Sequence, residues 1–549
     1  MVKFKLIPSY YKCFSNSDFK SYKSISNATV LKNDVFAFEA VILSDEDNWF
    51  DIKTESDISG FIKVYRVREI YVDVPVKKDR FDDYYLNGRL PGMYPDLLMP
   101  VDSKHYVNAK KEKIASVWIE VNVPENAQAG RHEIKVILND FDGKTVGAEN
   151  ITLDVIDASL PEQTLKYTQW FHPDCLASYY KIGVFSDRHW EIMENFVKTA
   201  VKNGINTLLT PIFTPPLDTK PGSERPTTQL VGVTKTENGY EFDFSLVEKW
   251  LAMCDRCGIK YYEMSHLFTQ WGAEHAPKIM AAVNGEYKKI FGWETDALSD
   301  EYIGFLKAFL TEFKQFLRRR NLLDKCHFHL SDEPAADHIE HFMKIRRALE
   351  DVISDIWCGE ALSGYDFYKT GAVKHPIVST EHIEPFIENG VPDLWCYYCC
   401  MEGIDVSNRF VSMPMNRTRV IAEQMYKYDI KGFLQWGYNF YYSYLSVTEI
   451  NPYECTDGTG GWVPAGDAFS VYPAPDGTAY ETLHMKAVTQ ALRDMRAFEL
   501  LEKLSSKEEV LSIIEKDAEP ITFKNYPHED GYCESVRERV NRAIAEKIK

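Results

Sequence analysis

The first 160 residues carry apolar side chains at every second position in several short runs. The clearest runs hold Val117, Ile119, Val121 and Val123; Ile134, Val136 and Leu138; and Ile151, Leu153 and Val155. A period of two is typical of strands with one buried face, and a turn from Pro124 to Gly130 separates the first two runs as in a hairpin. Similar runs occur near 35–43 and 61–74. Several short antiparallel strands separated by turns predict an N-terminal β-sandwich domain over residues 1–160.

After residue 160 the pattern changes to short apolar runs that alternate with segments of helical periodicity, which is typical of a parallel α/β unit. A helix is predicted over 187–203, and a second after Ser299 as N-cap, with acidic residues in its first turn and arginines at its end. The predicted strands are 167–171, 206–209, 260–264, 327–330, 355–358, 376–379, 394–398 and 432–436. Eight such strands predict a (β/α)8 TIM-like barrel over residues 161–497. Residues 498–549 are charged and helical in pattern, and predict a helical C-terminal extension.

Two connections in the barrel region are longer than ordinary loops. The segment 211–244 contains an Asn238-Gly239 turn between two strand-like runs. This predicts a β-hairpin insertion over the active-site face of the barrel. The segment 271–298 is predicted to form a second wall of the same face.

The segment from Cys326 to Pro334 ends a predicted strand with two adjacent carboxylates, Asp332 and Glu333. Like charges in a half-buried cleft raise the pKa of at least one partner, so a protonated acid persists beside an anion. An alternative is that Asp332 is a helix N-cap and Pro334 the first helical residue. The carboxyl end of the fourth barrel strand is, however, where barrel enzymes place their chemistry, which favours a catalytic pair.

Other polar and aromatic residues are predicted at the same face, where they would bind substrate. They are Trp170, His172, Glu263, His266, Trp271, Tyr397, Tyr398, Trp436, Tyr438 and Asn439. Two such carboxyls suit acid/base catalysis at a glycosidic bond, and for that function Trp436, at the end of the eighth strand, is the preferred floor for the sugar ring, with core packing as the alternative. His266, His327 and His329 lack a third ligand at a defined spacing, so we predict core histidines and no metal site.

Composition narrows the function classes. The chain is 45% hydrophobic and 26% charged, values normal for a globular protein, and its net charge of -19 disfavours a nucleic-acid partner. It has no long apolar segment and no signal-peptide pattern at residues 1–8, so we expect no membrane insertion and a cytoplasmic location unless a leader has been removed.

The 11 cysteines are predicted to be reduced thiols. A four-thiolate zinc site built from Cys254 and Cys257 with the cluster Cys396, Cys399 and Cys400 is the weaker alternative. Neither a metal nor a cofactor is predicted.

Five stretches carry a resemblance to a known family: Trp170-Phe-His-Pro-Asp174, Ser265-His-Leu-Phe-Thr-Gln-Trp-Gly272, Leu330-Ser-Asp-Glu-Pro334, Gly466-Asp-Ala-Phe-Ser-Val-Tyr-Pro473 and Thr482-Leu-His-Met-Lys486. With them the chain resembles the bacterial family 123 glycoside hydrolases, β-N-acetylgalactosaminidases, and their broader uncharacterised superfamily. The resemblance runs from the sandwich to about residue 497. The tail after Phe498 lacks the extra β-domain expected in some members.

The resemblance implies a retaining exo-β-N-acetylhexosaminidase, with β-GalNAc favoured, that acts on a glycan or glycoconjugate. In the family's substrate-assisted mechanism the sugar's 2-acetamido group is the nucleophile, which bypasses the spacing rule for two carboxylates. Asp332 would orient and stabilise that group, and Glu333 would protonate the leaving oxygen and then act as base toward water.

Two alternatives stay open. One is a glycosidase for a sugar without an acetamido group, in which Glu333 is the acid and Glu263 or Glu381 the nucleophile. The other is a non-catalytic carbohydrate-binding protein on the same barrel. The sequence predicts no oligomeric state.

Overall fold

The computed structural model describes residues 1–101, 106–458, 460–461, 463–516 and 518–549. Its N-terminal region consists of two sheets that face each other, as the alternating pattern predicts. The strands of this region are β1 Val2–Pro8, β2 Asn27–Lys32, β3 Asp34–Ser44, β4 Asn48–Glu55, β5 Ile62–Val72, β6 Gly92–Pro100, β7 Val107–Ala109, β8 Ile114–Val123, β9 Gly130–Asn139 and β10 Thr145–Ser159. Pairing is antiparallel throughout, except that β10 runs parallel to β2.

The two sheets bury the predicted apolar positions against each other. One has the order β1-β3-β8-β5-β6 and is continued by two strands from after the barrel, β24 (Ala479–Thr482) and β23 (Tyr472–Pro473). The other has the order β2-β10-β9-β4-β7. Val117, Ile119 and Val121 from the first sheet and Val136 and Leu138 from the second are all fully buried in one core. The apolar residue at every second position along β8, β9 and β10 faces this core, and that alternation made the sandwich predictable from sequence.

The chain then forms a closed barrel of parallel strands, β11-β12-β15-β18-β19-β20-β21-β22. The strands after residue 160 are β11 Lys166–Gln169, β12 Thr207–Thr210, β13 Gly232–Thr236, β14 Gly239–Asp243, β15 Tyr261–Met264, β16 Ile279–Val283, β17 Glu286–Phe291, β18 Cys326–His329, β19 Cys358–Leu362, β20 His375–Ser379, β21 Trp395–Tyr397, β22 Gly432–Gln435, β23 Tyr472–Pro473 and β24 Ala479–Thr482. The last barrel strand pairs with the first, Gly432 opposite Lys166, which closes the ring. The predicted (β/α)8 barrel is confirmed.

The fifth barrel strand was predicted too early. It begins at Cys358, where the predicted strand 355–358 ends. Gly359 and Glu360 are poor strand formers, and they interrupt the apolar pattern inside the real strand. Both residues are buried, and the Glu360 carboxylate accepts hydrogen bonds from backbone N–H groups at the neighbouring strand end.

The helices cover the outside of the barrel and form the C-terminal extension. They are α1 Pro173–Tyr180, α2 Asp187–Lys202, α3 Ser245–Cys257, α4 Asp300–Arg319, α5 Ile339–Ile353, α6 Tyr365–Lys369, α7 Glu384–Glu388, α8 Met415–Arg419, α9 Ile421–Lys427, α10 Leu483–Leu504, α11 Lys507–Ile514 and α12 Tyr532–Lys547. Ser299 is the N-cap residue of α4, as predicted, but its hydroxyl donates to the Asp296 carbonyl instead of accepting from the helix. The domain limits 160 and 497 stay predictions; residue 497 lies inside α10.

The predicted hairpin is present but does not cover the barrel mouth. Strands β13 and β14 pair around Asn238-Gly239, and with β16 and β17 they form a separate four-stranded sheet. This sheet packs on the outer helix α4, where Phe242 contacts Phe309 with ring centroids 5.5 Å apart. The expectation of a hairpin over the active-site face was therefore wrong, because the apolar faces of hairpin and helix bury each other.

The C-terminal extension returns to the sandwich. In α12 the Asn541 amide donates to the Thr29 carbonyl (3.3 Å), and Arg537 forms a buried ion pair with Asp34. The extension thus ties the barrel end of the chain to the first domain.

Candidate active site

A cleft of about 490 Å³ opens at the carboxyl ends of the barrel strands. It is lined by Lys77, Trp170, His172, Leu217, Asp218, Gln270, Trp271, Asp332, Glu333, Ala361, Tyr397, Cys399, Cys400, Met401, Leu434, Trp436, Phe440, Tyr444 and Val463. Aromatic walls with a few carboxyl groups are typical of a pocket that binds a sugar.

The backbone before the carboxylate pair is held in place by its neighbours. Glu360 accepts hydrogen bonds from the N–H groups of Leu330 (2.6 Å) and Ser331 (3.0 Å). The N–H of Trp271 donates to the Asp332 carbonyl (2.8 Å). Helix α5 begins only at Ile339, after a 3-10 turn at Ala336–His338. Asp332 is therefore not a helix cap, and that alternative is wrong.

Both carboxyls of the pair have raised pKa values. Burial is the first cause for Asp332, whose pKa lies well above its usual range, and the carboxyls of Glu333, Asp218 and Glu263 add to the rise. Burial also raises the pKa of Glu333, and a hydrogen bond from the Tyr397 hydroxyl (2.6 Å) opposes that rise. Glu333 is the more exposed residue of the two. Burial, and for Asp332 also the neighbouring carboxyls, thus lets the pair hold a proton at a pH where isolated carboxyls would not.

Three residues that line the cleft have left-handed backbone conformations: Glu333 with φ 42°, Trp271 with φ 59° and Asp218 with φ 40°. A side chain other than glycine in this region costs free energy, and such residues concentrate at functional sites. These three backbone conformations therefore lower the folding stability, and all three side chains line the cleft.

Trp436 and His172 form the wall on the side of the first and eighth strands. The indole N–H of Trp436 donates to Asp467 (3.0 Å), a residue of the Gly466-Asp motif. Burial lowers the pKa of His172 to about 3, helped by the charge of Arg225, so the ring is neutral. Its Nε2 donates to the Trp436 carbonyl (3.1 Å), and its Nδ1 accepts from Arg225 Nη2 (3.2 Å). These contacts fix the orientation of both rings.

The structure brings seven of the predicted site residues to the cleft: Trp170, His172, Trp271, Asp332, Glu333, Tyr397 and Trp436. The other five lie behind it and are all buried: Glu263, His266, Tyr398, Tyr438 and Asn439. Strand periodicity alone placed both groups at the same end of the barrel, but it did not distinguish a residue in the lining from one underneath it.

Two of the buried five, Glu263 and Asn439, hold residues of the lining in place. Glu263 is 1% exposed and accepts from Thr168 Oγ1 (2.6 Å), Trp170 Nε1 (2.8 Å) and His329 Nε2 (2.7 Å). Asn439 brackets His172, accepting from its N–H (2.9 Å) and donating to its carbonyl (3.0 Å).

The remaining three of this group lie deeper. Tyr438 donates to the Phe196 carbonyl (2.8 Å), and Tyr398 packs against Phe433 with ring centroids 5.0 Å apart. His266 stacks on His329 with ring centroids 4.7 Å apart. Burial lowers the pKa of His266 well below its usual range, so that ring is neutral as well.

Several lining residues were not predicted, chiefly Lys77, Asp218, Gln270 and Tyr444. Burial raises the pKa of Asp218 to about 6, opposed by the charge of Arg225 and by a hydrogen bond from the Leu445 N–H. The unusual length of segment 211–244 was a signal for this region, but no periodicity marks single residues in an irregular loop.

The described part of the chain holds no group of three or more His, Cys, Asp or Glu side chains arranged for a metal ion. All cysteines are free, and Cys254 and Cys257 lie on α3 while Cys396 is in barrel strand β21. No helix in the described ranges is long and apolar enough to cross a membrane.

Comparisons with known proteins agree with this geometry. The structure of a family 123 glycoside hydrolase from Clostridium perfringens matches with a TM-score of 0.75 at 17% identity, covering 100% of this chain and 99% of the other. A β-glucuronidase from Parabacteroides merdae matches at 9% identity over 90% of this chain and 52% of its own, but its TM-score of 0.28 carries no argument. A search of curated proteins gives no match.

The family profile described as "Glycoside hydrolase 123, catalytic domain" matches residues 170–501, more than half of the chain, and includes every predicted site residue. This chain therefore belongs to glycoside hydrolase family 123.

Proposed function

We propose that this glycoside hydrolase is a retaining exo-β-N-acetylhexosaminidase, with β-GalNAc as the favoured sugar, that uses the 2-acetamido group of its substrate as nucleophile. The observation that carries the proposal is the pair Asp332 and Glu333, adjacent in sequence, both in one cleft and both with raised pKa values. The preference for GalNAc follows from the family resemblance.

In the proposed first step Glu333 donates its proton to the glycosidic oxygen while the acetamido oxygen attacks the anomeric carbon. The acetamido nitrogen becomes positively charged in the resulting oxazolinium ion. The anionic form of Asp332 would stabilise this developing positive charge, so the one proton of the pair lies on Glu333 before the step and moves to the leaving oxygen during it. In the second step Glu333, now a carboxylate, takes a proton from water, whose oxygen attacks the anomeric carbon from the face that the leaving group left. The bond between that carbon and the acetamido oxygen breaks, the amide re-forms, and the configuration is retained.

The aromatic side chains would bind the sugar ring. Trp436 is held rigid by Asp467 and provides the floor, while Trp271 and Tyr397 flank the carboxylates. A rigid aromatic surface binds the apolar face of a sugar at little cost in side-chain entropy. The relative from Clostridium perfringens is described as acting in glycolipid glycan hydrolysis, and a glycoconjugate is the substrate class we propose here.

The geometry does not favour a separated pair of carboxylates. Glu263 is enclosed by three donors, and Glu381 pairs with Arg80. Neither lines the cleft. No observation favours a purely binding function over catalysis either, because binding alone gives no reason to keep two repelling carboxyls together.

The test combines a substrate screen with Asp332→Asn. Chromogenic β-GalNAc, β-GlcNAc and β-galactose substrates should be turned over only when they carry the acetamido group, and a thiazoline that mimics the oxazoline should inhibit. Asp332→Asn should lose about a hundred- to a thousandfold in kcat and most of its thiazoline affinity, because it lacks the stabilising charge. The melting temperature should be unchanged or higher, because a buried carboxyl is removed.

Three outcomes would contradict the proposal. Comparable turnover of β-galactosides would favour an enzyme nucleophile. Sugar binding without any turnover would favour a binding protein. An Asp332→Asn enzyme with parent-like kcat would exclude the substrate-assisted mechanism.

A further inference from the structure

The sandwich domain contributes to the cleft through one long loop. Residues 73–91, here called the strap, connect β5 to β6 and lie across the barrel loops that follow β21. Lys77 of the strap lines the cleft, and its Nζ lies 2.6 Å from Met401 Sδ on the opposite loop. The cleft is therefore built from both domains.

The strap is attached to the barrel by charged groups that are themselves buried. Asp82, 8% exposed, forms a two-pronged ion pair with Arg417, 0% exposed, through contacts of 2.7 Å at both oxygens. Paired planar groups of this kind fix orientation as well as distance. Arg80 donates to the Met401 carbonyl (2.9 Å) and pairs with Glu381.

The backbones of strap and barrel also approach closely. The N–H of Asp82 donates to the Gly403 carbonyl (3.2 Å), and a Cβ at Gly403 would lie 2.2 Å from the Arg80 carbonyl oxygen. Only glycine fits there. Together with the ion pairs, this contact gives Lys77 a fixed position at the cleft.

Lys77 differs in charge from the other ionisable residues of the lining. Among the described lining residues the acidic ones are Asp218, Asp332 and Glu333, and Lys77 is the basic one. The charges that act on the pKa of Asp332 are all carboxyls. Asp218 and Asp332 thus form an acidic side, whereas the wall formed by Cys399, Cys400 and Met401 holds a cation. Glu333, which is protonated before the first step of the proposed mechanism, adds no charge to either region. An anionic group is repelled from the first region and attracted to the second.

The position of Glu333 indicates the side of the cleft on which the leaving group binds. The hydroxyl that binds Glu333 belongs to Tyr397, and residues 399–401 continue the same chain segment beyond β21. If Glu333 protonates the leaving oxygen, the leaving group lies on this side. The acid, its tyrosine partner and Lys77 then share the region that receives the leaving part of the substrate.

We propose that Lys77 is a specificity-determining residue that binds an anionic substituent, a carboxylate or sulfate, on the leaving-group side of the substrate. This inference rests on the proposed glycosidase function for the assignment of sides. The sandwich then selects the glycan, while the barrel carries out the cleavage.

The experiment compares Lys77→Met with Lys78→Met and Lys77→Arg. Lys78 is the exposed neighbour on the strap and is absent from the lining, so its variant removes the same charge without touching the cleft. The substrates are β-GalNAc glycosides with a carboxyphenyl or a neutral carbamoylphenyl leaving group, and a third whose sulfate is on O6 of the sugar itself. The quantity measured is the ratio of kcat/KM for the charged substrate to that for the neutral one.

Lys77→Met should lower this ratio for the carboxyphenyl substrate by about tenfold, mainly through KM, whereas Lys78→Met should leave it unchanged and Lys77→Arg should restore it. The ratio in the parent enzyme should also fall at high salt, since the contact is electrostatic. An equal ratio in Lys77→Met and the parent, or an equal fall in Lys78→Met, would overturn the proposal. A fall confined to the O6-sulfate would overturn the assignment to the leaving-group side.

A binding measurement tests this inference independently of the proposed function. S-linked analogues of the same pair are not hydrolysed, and their affinities can be measured by calorimetry. If no glycoside is turned over, a preference of the parent for the anionic thioglycoside that is lost in Lys77→Met still supports a Lys77-dependent anion contact. Equal affinities for both analogues in the parent would reject it whatever the catalytic result.

Discussion

Glu263 and the pair Asp332 and Glu333 are carboxylates of the same barrel, but their surroundings differ. Glu263 accepts hydrogen bonds from three side chains and is almost inaccessible to solvent. Glu333 accepts one, from Tyr397, and none of the described residues donates to the Asp332 carboxylate. A carboxylate supplied with donors is stabilised as an anion, whereas one without them in a buried site is pushed toward its protonated form. Hydrogen-bond partners, and not position in the barrel, therefore distinguish Glu263, a structural carboxylate, from the pair that we propose to be reactive.

Sequence patterns placed both sites at the ends of barrel strands and predicted a catalytic pair at Asp332 and Glu333 and a substrate-binding residue at Glu263, which the structure places behind the cleft. Their difference depends on donors that come from other strands, Thr168 and Trp170 from the first and His329 from the fourth. Such contacts are set by barrel closure and leave no local pattern. Mutations that remove one carboxylate at a time therefore test whether the two sites have separate roles.

The largest effect is expected for Glu333→Gln. Loss of the general acid should lower kcat by a hundred- to a thousandfold on substrates with poor leaving groups, and by less on those with very good leaving groups. Stability should not fall, because the glutamine oxygen can still accept the Tyr397 hydroxyl hydrogen bond and the substitution removes a carboxyl next to Asp332. Glu388→Gln, an exposed residue at the end of α7, is the matched control. Equal losses on good and poor leaving groups would contradict the acid role.

A smaller effect, of another kind, is expected for Glu263→Gln. The glutamine amide has one acceptor oxygen and places an NH2 group against at least one donor, so buried donors lose their partner. The free energy of unfolding should fall by about 2–3 kcal/mol, measured by chemical denaturation. Remaining folded enzyme should keep much of its turnover. A stable Glu263→Gln protein without activity would contradict a structural role for Glu263 and favour it as the nucleophile.

The smallest effect is expected for Asp218→Asn. This substitution removes a negative charge near Asp332 and Glu333 and leaves both carboxyls in place. The pKa of Asp218 is raised to about 6 in the folded state, so the parent loses stability as pH rises through this value, and the variant should not. At pH 7.5 the variant should be more stable by about 1–2 kcal/mol, a value reduced from the full shift for partial exposure.

The same variant removes a charge that raises the pKa of Asp332. The alkaline limb of the kcat/KM profile should therefore move to lower pH, because the pair gives up its proton more readily. Thermal melts at pH 5 and 7.5 and a full pH–rate profile measure both effects. An unchanged profile would show that Asp218 does not act on the pair.

Much of the fold could be predicted because it depends on local periodicity. Each barrel strand is a short apolar run, and apolar and polar residues alternate along the sandwich strands. Both architectures can therefore be recognised from neighbouring residues in the sequence. The proposed catalytic pair could be predicted for the same reason, since Asp332 and Glu333 directly follow an apolar strand end. The fifth strand was misplaced where Gly359 and Glu360 interrupt that pattern.

The other residues of the cleft depend on contacts between distant segments. Lys77 reaches the cleft because Asp82 pairs with Arg417, more than 300 positions later in the chain. Asp218 is fixed by the Leu445 N–H, which belongs to a loop after the eighth barrel strand. Neither partner can be recognised before the barrel is assembled, because irregular loops carry no period.

The backbone of Glu333, with φ 42°, has a consequence for directed evolution of this protein. Glycine adopts that conformation freely and asparagine tolerates it, whereas glutamate pays about 1 kcal/mol or more to hold it. A library selected only for heat resistance or expression yield would therefore enrich Glu333→Gly and Glu333→Asn. The most stable variants from such a selection would lack the proposed general acid. A selection for stability must therefore also require turnover in the same round.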